Sequence, residues 1–240
     1  FDLPESVLET EELRSAEEGG FDFVWPFDQE GLVDSGFEVG KVLCTRGWCT
    51  LQVPRSSDLR SHAVDRAQRS VWAPQKQELV ADFLGHCGSG RATTIDPLRL
   101  NNEASLSATL LAGPALDPIA AFDADISSIF MALCPIMWST LGFTSTGRTD
   151  AMIWMPLSSA AEKAQAPREV LCEEDIEDGV LDRHLHFLKR RRLCFVYLVH
   201  TEGGRLCLYT PDGLKAKRAI EVPAEAGRML VFRCDRFAFG

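Results

Sequence analysis

Arg191-Arg192-Leu193-Cys194-Phe195-Val196-Tyr197-Leu198, then Glu202-Gly203-Gly204, then Arg205-Leu206-Cys207-Leu208-Tyr209 is the stretch on which the fold class turns. An apolar run from Leu193 to Val199, bounded by arginines and by a Glu-Gly-Gly signal, reads as a buried strand. Paired glycines permit a tight backbone reversal, so Arg205 to Tyr209 reads as the returning strand.

Working upstream, Glu173 to Lys189 places Ile176, Val180, Leu181, His184 and Leu188 along one helical stripe that leads almost directly into the strand. Between Arg148 and Trp154 the period changes to two. Arg148, Asp150, Met152 and Trp154 then share one face, and Thr149, Ala151 and Ile153 the other. The adjacency of Arg148 and Asp150 on that face suggests an architectural ion pair. Asp117-Pro118 has the form of a helix start, followed by Ile119, Phe122, Ile126, Ile129, Phe130 and Leu133 at helical spacing, with Pro135 placed to end or kink the helix. Downstream, Met229 to Arg233 reads as a further strand.

Nearer the N-terminus, Val42, Leu43, Trp48, Thr50, Leu51 and Val53 suggest short strands. Ser56-Ser57-Asp58 caps a helix to about Arg69, with Leu59, Ala63, Val64 and Ala67 on one face. A second helix fits Gln75 to Leu84, closed by Gly85, and His86 to Asn102 reads as a loop. Residues 1–40 form an acidic, aromatic extension: glutamates punctuate Glu5 to Glu18, and Phe21-Asp22-Phe23-Val24-Trp25-Pro26-Phe27 follows. The aromatics either fold back over the chain's own domain or anchor a partner. The globular domain is expected over 41–240.

The 240 residues carry a formal net charge of −10. An acidic surface repels phosphate, so nucleic acid is not an expected ligand, and the basic run Lys189-Arg190-Arg191-Arg192 reads as a solvated strand entrance. Cys44, Cys49, Cys87, Cys134, Cys172, Cys194, Cys207 and Cys234 include no C-x-x-C pair, so neither zinc nor thioredoxin-like chemistry is signalled, and a reducing intracellular compartment fits best. The longest apolar stretch, Pro118 to Trp138, is broken by Asp123 and Asp125, which argues against a membrane span. The chain opens on Phe1 rather than Met, as expected of a processed protein or a piece of a longer polypeptide.

Three segments, in order, resemble the prolyl 4-hydroxylase group of 2-oxoglutarate and iron(II) dependent oxygenases. Arg148-Thr149-Asp150-Ala151-Met152-Ile153-Trp154 is similar to that group's R-x-D-x-x-x-W strand. The Arg191 to Tyr209 stretch resembles its strand, G-G turn and L-x-L-Y hairpin. Pro223, then Ala226-Gly227-Arg228-Met229-Leu230-Val231-Phe232-Arg233-Cys234-Asp235, is similar to its P-x-x-G-R-L-V-L-F-x-S-D segment. The resemblance covers roughly Leu141 to the end. It implies an α+β fold: a partial double-stranded β-helix, or jelly-roll, with supporting helices. The sheet is expected to be incomplete at its C-terminal side, with an open edge.

An oxygenase of this kind holds iron with two histidines and a carboxylate on one side of the barrel. The resemblance places the first histidine and the carboxylate, as H-x-D, on a strand just before the Arg191 strand. The one candidate, His184-Leu185-His186, has His186 in place of the carboxylate and continues a helix. The position of the second histidine falls on Phe239, which has no lone pair for a metal. A cupin-like nitrogen site built from His184 and His186 with His200, His62 or His86 would also want a nearby glutamate and glycine, where Phe187-Leu188-Lys189-Arg190 stands. No nucleophile elbow, P-loop or dinucleotide fingerprint is present, and His86-Cys87 has no orienting third group.

The expectation is therefore a non-catalytic, oxygenase-derived scaffold or interaction domain, a subunit or fragment of a larger assembly, with no catalytic residues and no cofactor. Protein partners would engage residues 1–40 and the open sheet edge. The competing expectation is an active dioxygenase using Fe(II) and 2-oxoglutarate, with His184 and His186 as metal ligands and the remaining ligands outside this chain. A metal-free small-molecule barrel is a third.

Overall fold

The computed structural model describes residues 20–26, 29–69, 76, 79–80, 90–94, 117–157, 159, 161–162, 170–210 and 219–239. Its centre is a four-stranded sheet in the order β1 (Phe23–Val24), β2 (Trp48–Gln52), β8 (Arg228–Arg233), β5 (Leu193–Tyr197). β2 and β5 both run antiparallel to β8, with Thr50 and Val196 each opposite Leu230. Every residue of β8 is buried, as a strand covered on both faces requires.

The pleat sorts the side chains of this sheet between two cores. Cys49, Leu51, Met229 and Val231 face a helical layer, where they meet Val39, Leu43, Ile129, Leu133 and Met137. Trp48, Leu230 and Phe232 face the other way, onto Leu208 and Val222. Those two residues belong to a three-stranded sheet, β7 (Ala219–Pro223), β6 (Arg205–Tyr209), β9 (Ala238–Phe239). The third sheet is the antiparallel pair β3 (Gly90–Thr94) and β4 (Met152–Pro156), in which Ala92 stands opposite Trp154.

The helical layer has α1 (Gln29–Thr45) lying against α3 (Pro118–Leu133). Asp117 caps α3 as its proline-led start predicts, its Oδ1 accepting from the Ile119 amide at 2.8 Å. Pro135 changes the winding of the rod without ending it. The chain tightens into a 3₁₀ turn at Cys134–Ile136, widens to a π turn at Met137–Leu141 and stops at Gly142 in the left-handed conformation (φ 78°). Pro118–Leu141 is the one helical stretch among the described residues long and apolar enough to cross a membrane. Ile119, Phe122, Ile129 and Leu133 are buried on the protein's own core, and Asp123 and Asp125 are ion-paired, so it reads as a core helix. α2 (Ser57–Arg69) opens where Ser56 Oγ accepts from the Leu59 amide at 3.2 Å, and it buries Ala63 and Ala67 against Ile119 and Phe122.

Several expectations are corrected. The boundary at residue 40 falls inside α1, which begins at Gln29, and Trp25, Val39 and Leu43 are all core residues. The described residues before 41 therefore fold back: the Trp25 amide donates to the Gln52 carbonyl at 2.8 Å, and Phe23 packs on the same core. Val42 and Leu43 are helical, not strand. The loop expected over 86–102 contains β3. Arg148 to Ala151 precede β4 and lie outside it, and Arg148 pairs with Asp123 of α3 instead of the exposed Asp150. The helix expected over 173–189 is two: α4 (Glu173–Glu177) and α5 (Val180–Arg190), divided at Gly179 (φ 68°). β5 is half-buried, and the Gly203-Gly204 turn does not close a β5–β6 hairpin. Those strands lie in different sheets, so the turn carries the chain from one sheet to the other. The helix expected over 75–84 and the His86-Cys87 pair lie largely or wholly outside the described residues.

Candidate functional site

Among the described residues an open cleft of about 1740 Å³ is lined by β4, α5, β5, the turn after β5, β6 and β9. The elements around it explain its character. β5 is the end strand of its sheet, and β4 is paired with β3, so the cleft lies between strands that have no described neighbour on their facing sides. Its walls include Phe122, Ile126, Ile153, Phe195 and Tyr197, while arginines from the end of α5 and the start of β5 stand at its rim.

Asp123 reaches the cleft from α3, and Asp125 lies on the same helix outside the lining. Asp123 is buried and pairs with Arg148 through Oδ2; its Oδ1 is buried without a hydrogen-bond partner. Asp125 is held by Arg55, whose Nε donates to Oδ2 at 2.9 Å while the guanidinium also reaches Oδ1. Tyr197 packs edge-on against Phe122 with ring centroids 5.1 Å apart, and its hydroxyl is a second buried polar group without a partner. Burial first, and then the Asp125 charge, push that hydroxyl above its ordinary pKa, against the opposing pull of Arg55 and Arg60. The phenol is accordingly neutral and is a hydrogen-bond donor in search of an acceptor.

The histidines do not converge. His184 and His186 are two residues apart on α5, an offset of about 200° around a helix. His184 is half-buried, with its ring centroid 6.2 Å from that of Phe187, while His186 is exposed at the cleft. His200 is exposed on the turn after β5, His62 is exposed on α2, and His86 lies outside the described residues. Among the described residues no three of His, Cys, Asp and Glu are grouped to hold a metal ion.

The positions expected to carry iron are occupied by other chemistry. α5 runs to Arg190, the Arg191 amide closes its last turn onto the Phe187 carbonyl at 2.9 Å, and β5 begins at Leu193. Phe239 pairs with Leu208 across the β9–β6 ladder, and its ring stacks on Phe232 at 5.9 Å and 25°. Asp235 accepts from Arg233 Nε at 3.0 Å and from a second guanidinium nitrogen at 2.6 Å, which lowers its pKa and commits both oxygens. This donor set does not fit a two-histidine, one-carboxylate iron centre.

The buried Arg–Asp pairs were not assigned from sequence, although a signal existed. Asp123 and Asp125 interrupt an apolar helix, and acids in such a face require buried cations; what the sequence lacks is which arginines, since Arg55 and Arg148 come from distant segments.

No family model matches the chain, and no curated protein matches it. Among solved structures the chain is similar to a Trichoplax adhaerens prolyl hydroxylase, in complex with a hypoxia inducible factor oxygen degradation domain peptide fragment. The identity is 14%, with a TM-score of 0.53, covering 88% of this chain and 83% of that one. A second similar structure is a Pseudomonas putida prolyl-4-hydroxylase at 17% identity and a TM-score of 0.46, covering 85% of this chain and 89% of that one. The class is thereby defined as a mixed α+β protein. Its fold is that of the prolyl 4-hydroxylase-type 2-oxoglutarate and iron(II) oxygenases, as the motif resemblance implies.

Proposed function

We propose that this chain is a non-catalytic scaffold or interaction domain on an oxygenase-type fold, and that its two facing sheets are part of a double-stranded β-helix. The winding supports the second point: from β5 the chain passes to the other sheet for β6 and β7, returns for β8 and crosses again for β9. The observation that carries the first is the replacement of a donor-bearing strand by α5, running into β5 with no intervening strand. Phe239, stacked on Phe232 where the second histidine is expected, supports it as well. A phenyl ring and a helix that directs its two imidazoles to different sides leave dioxygen without a redox centre. The proposal extends to protein partners at the open sheet edge and to a reducing compartment.

The test is anaerobic reconstitution with Fe(II), followed by metal analysis and by assay of succinate release from 2-oxoglutarate. Neither stoichiometric iron nor succinate is expected. Iron bound at one equivalent with turnover would overturn the reading in favour of an active dioxygenase.

A further inference from the structure

The outer edge of β2 is closed by side chains as much as by another strand. The Arg233 amide donates to the Gly47 carbonyl at 2.9 Å and the Val53 amide to the Gly227 carbonyl at 3.1 Å, so residues 47, 49, 51 and 53 face β8 in the antiparallel ladder. The backbone groups of Trp48, Thr50 and Gln52 therefore point outward, toward β1. Arg46 Nε donates to the Trp48 carbonyl at 2.9 Å, and the Thr50 amide donates to Asp22 Oδ2 at 2.8 Å. The Asp22 amide in turn donates to the Thr50 carbonyl at 2.9 Å, and the Trp25 amide to the Gln52 carbonyl at 2.8 Å.

The two capping side chains hold one another. The Arg46 guanidinium pairs with the same Asp22 oxygen and lies 4.0 Å from the centre of the Trp48 ring, and the Asp22 side chain is only 1% exposed, so water does not take its place. Asp22 Oδ1 is buried without a partner, a cost that a residue placed for packing alone would not carry. What the pair covers is Trp48-Cys49-Thr50-Leu51-Gln52, a strand with no charge and no proline of its own, and a bare edge of that kind is a template for another strand. β1 offers no such template. It is two residues long, and Pro26, which has no N–H, soon follows it.

We infer that Asp22 and Arg46 form an edge guard, which keeps β2 from pairing with β2 of a second copy of this chain. The excluded partner follows from the strand itself. Identical edges that pair antiparallel are related by a two-fold axis, and Thr50 is the middle residue of β2, so two bare copies would meet Thr50 to Thr50 with Trp48 opposite Gln52. Two uncharged strands have nothing to hold them apart. In the guarded chain the Asp22 carboxylate takes the place of an incoming carbonyl at the Thr50 amide, and the Arg46 guanidinium takes that of an incoming amide at the Trp48 carbonyl. Neither guard residue lines the cleft, so the inference goes beyond the scaffold reading and does not depend on it.

Sedimentation velocity over a concentration series, with amide exchange by NMR on the isotopically labelled chain, tests it in the parent and in the double variant Asp22→Ala/Arg46→Ala. In the parent the Thr50 amide is equally protected at every concentration, and its proton shift moves as acid protonates the carboxylate that accepts from it. In dilute double variant that amide exchanges at least about tenfold faster, equivalent to ~1.4 kcal/mol. The variant also associates at least about tenfold more tightly than the parent, and protection at Thr50 returns as its concentration rises. Asp22→Ala alone, which keeps Phe23 and Trp25, gives the same pattern with a smaller rise and carries the test if the double variant does not fold. A folded variant that associates no more than the parent overturns the inference. So does association without concentration-dependent protection at Thr50, which assigns it to another surface. In the parent, Thr50 protection that grows with concentration, or a Thr50 shift indifferent to acid, overturns it as well: the first shows the edge already shared by a second copy, the second that no carboxylate caps it.

Discussion

Gly36 shows how a single hydrogen in place of a methyl group sets the distance between two helices. A Cβ built there would lie 2.6 Å from the backbone oxygen of Ala132 and 2.9 Å from its carbonyl carbon. One turn later, a Cβ at Gly40 would meet the Ile136 Cδ1 at 2.5 Å, but that atom is the end of a side chain that can change rotamer. Helix propensity alone would make either alanine favourable by about 1 kcal/mol. At position 36 the obstacle is backbone, and separating packed helices costs about 1–3 kcal/mol, so overpacking outweighs propensity. Gly36→Ala is expected to lower the melting temperature by several degrees, and Gly40→Ala by less or not at all. Thermal unfolding followed by circular dichroism checks the order; a higher melting point for Gly36→Ala would contradict the close approach of α1 and α3. The same two residues explain why α1 was read as an extension and short strands, because glycine weakens a helix prediction wherever its reason is a neighbour far along the chain.

Elements whose cause is local were legible in the sequence, and those whose cause is distant were not. The capped starts of α2 and α3 and the apolar runs of β5 and β8 announce themselves through nearby residues. β3 does not, since Gly90-Arg91-Ala92-Thr93-Thr94 has loop composition and is a strand through its pairing with β4, some sixty residues on. The Gly203-Gly204 turn was legible as a turn, but whether it closes a hairpin or crosses between sheets is decided by β8, which takes β5 as its partner. At the site, Phe239 and the helical setting of His184 and His186 were legible, whereas the Arg55–Asp125 and Arg148–Asp123 pairs were not. That division yields a prediction about α5. Restoring a histidine at position 239 supplies one nitrogen, but α5 still sends its two imidazoles to different sides, so Phe239→His is expected to bind Co(II) no more tightly than the parent protein. Titration followed by visible absorption decides it, and a new high-affinity site in the variant would mean that α5 yields easily to a strand. The variant should also be less stable by about 1–2 kcal/mol, through loss of the ring stacking on Phe232.

For the molecule as a whole, a buried thiol, Cys49, and the partly buried Cys234 and Tyr197 are expected to set the alkaline limit of stability. The Cys234 thiol is raised from 9.0 to about 11, chiefly by burial, and burial likewise lifts Cys49 and Tyr197 above their ordinary values. Each of these groups keeps its proton longer when folded than when unfolded, so above the unfolded value the native state binds more protons and stability falls as pH rises. Their contribution is fully present below pH 9 and, for Cys234, is lost between about 9 and about 11. A two-unit shift corresponds to about 3 kcal/mol, large against the ~5–15 kcal/mol that holds a domain together. At the acid end the sign reverses. Asp175 is lowered to about 2 by hydrogen bonds from Cys172 and by Lys76, and Asp235 is lowered by Arg233, so their contributions are present above the ordinary carboxylate value and disappear as pH falls through the lowered ones. Asp175 and Asp235 are both partly exposed members of ion pairs, where solvent and salt screen the effect, which leaves the alkaline limb as the steeper. Urea unfolding across pH 6 to 11 is therefore expected to show a plateau followed by a loss beginning near pH 9. Cys234→Ala should make that loss shallower while lowering the plateau through the small cavity it leaves; an alkaline limb of unchanged steepness in the variant would show that the thiol does not remain protonated in the folded protein.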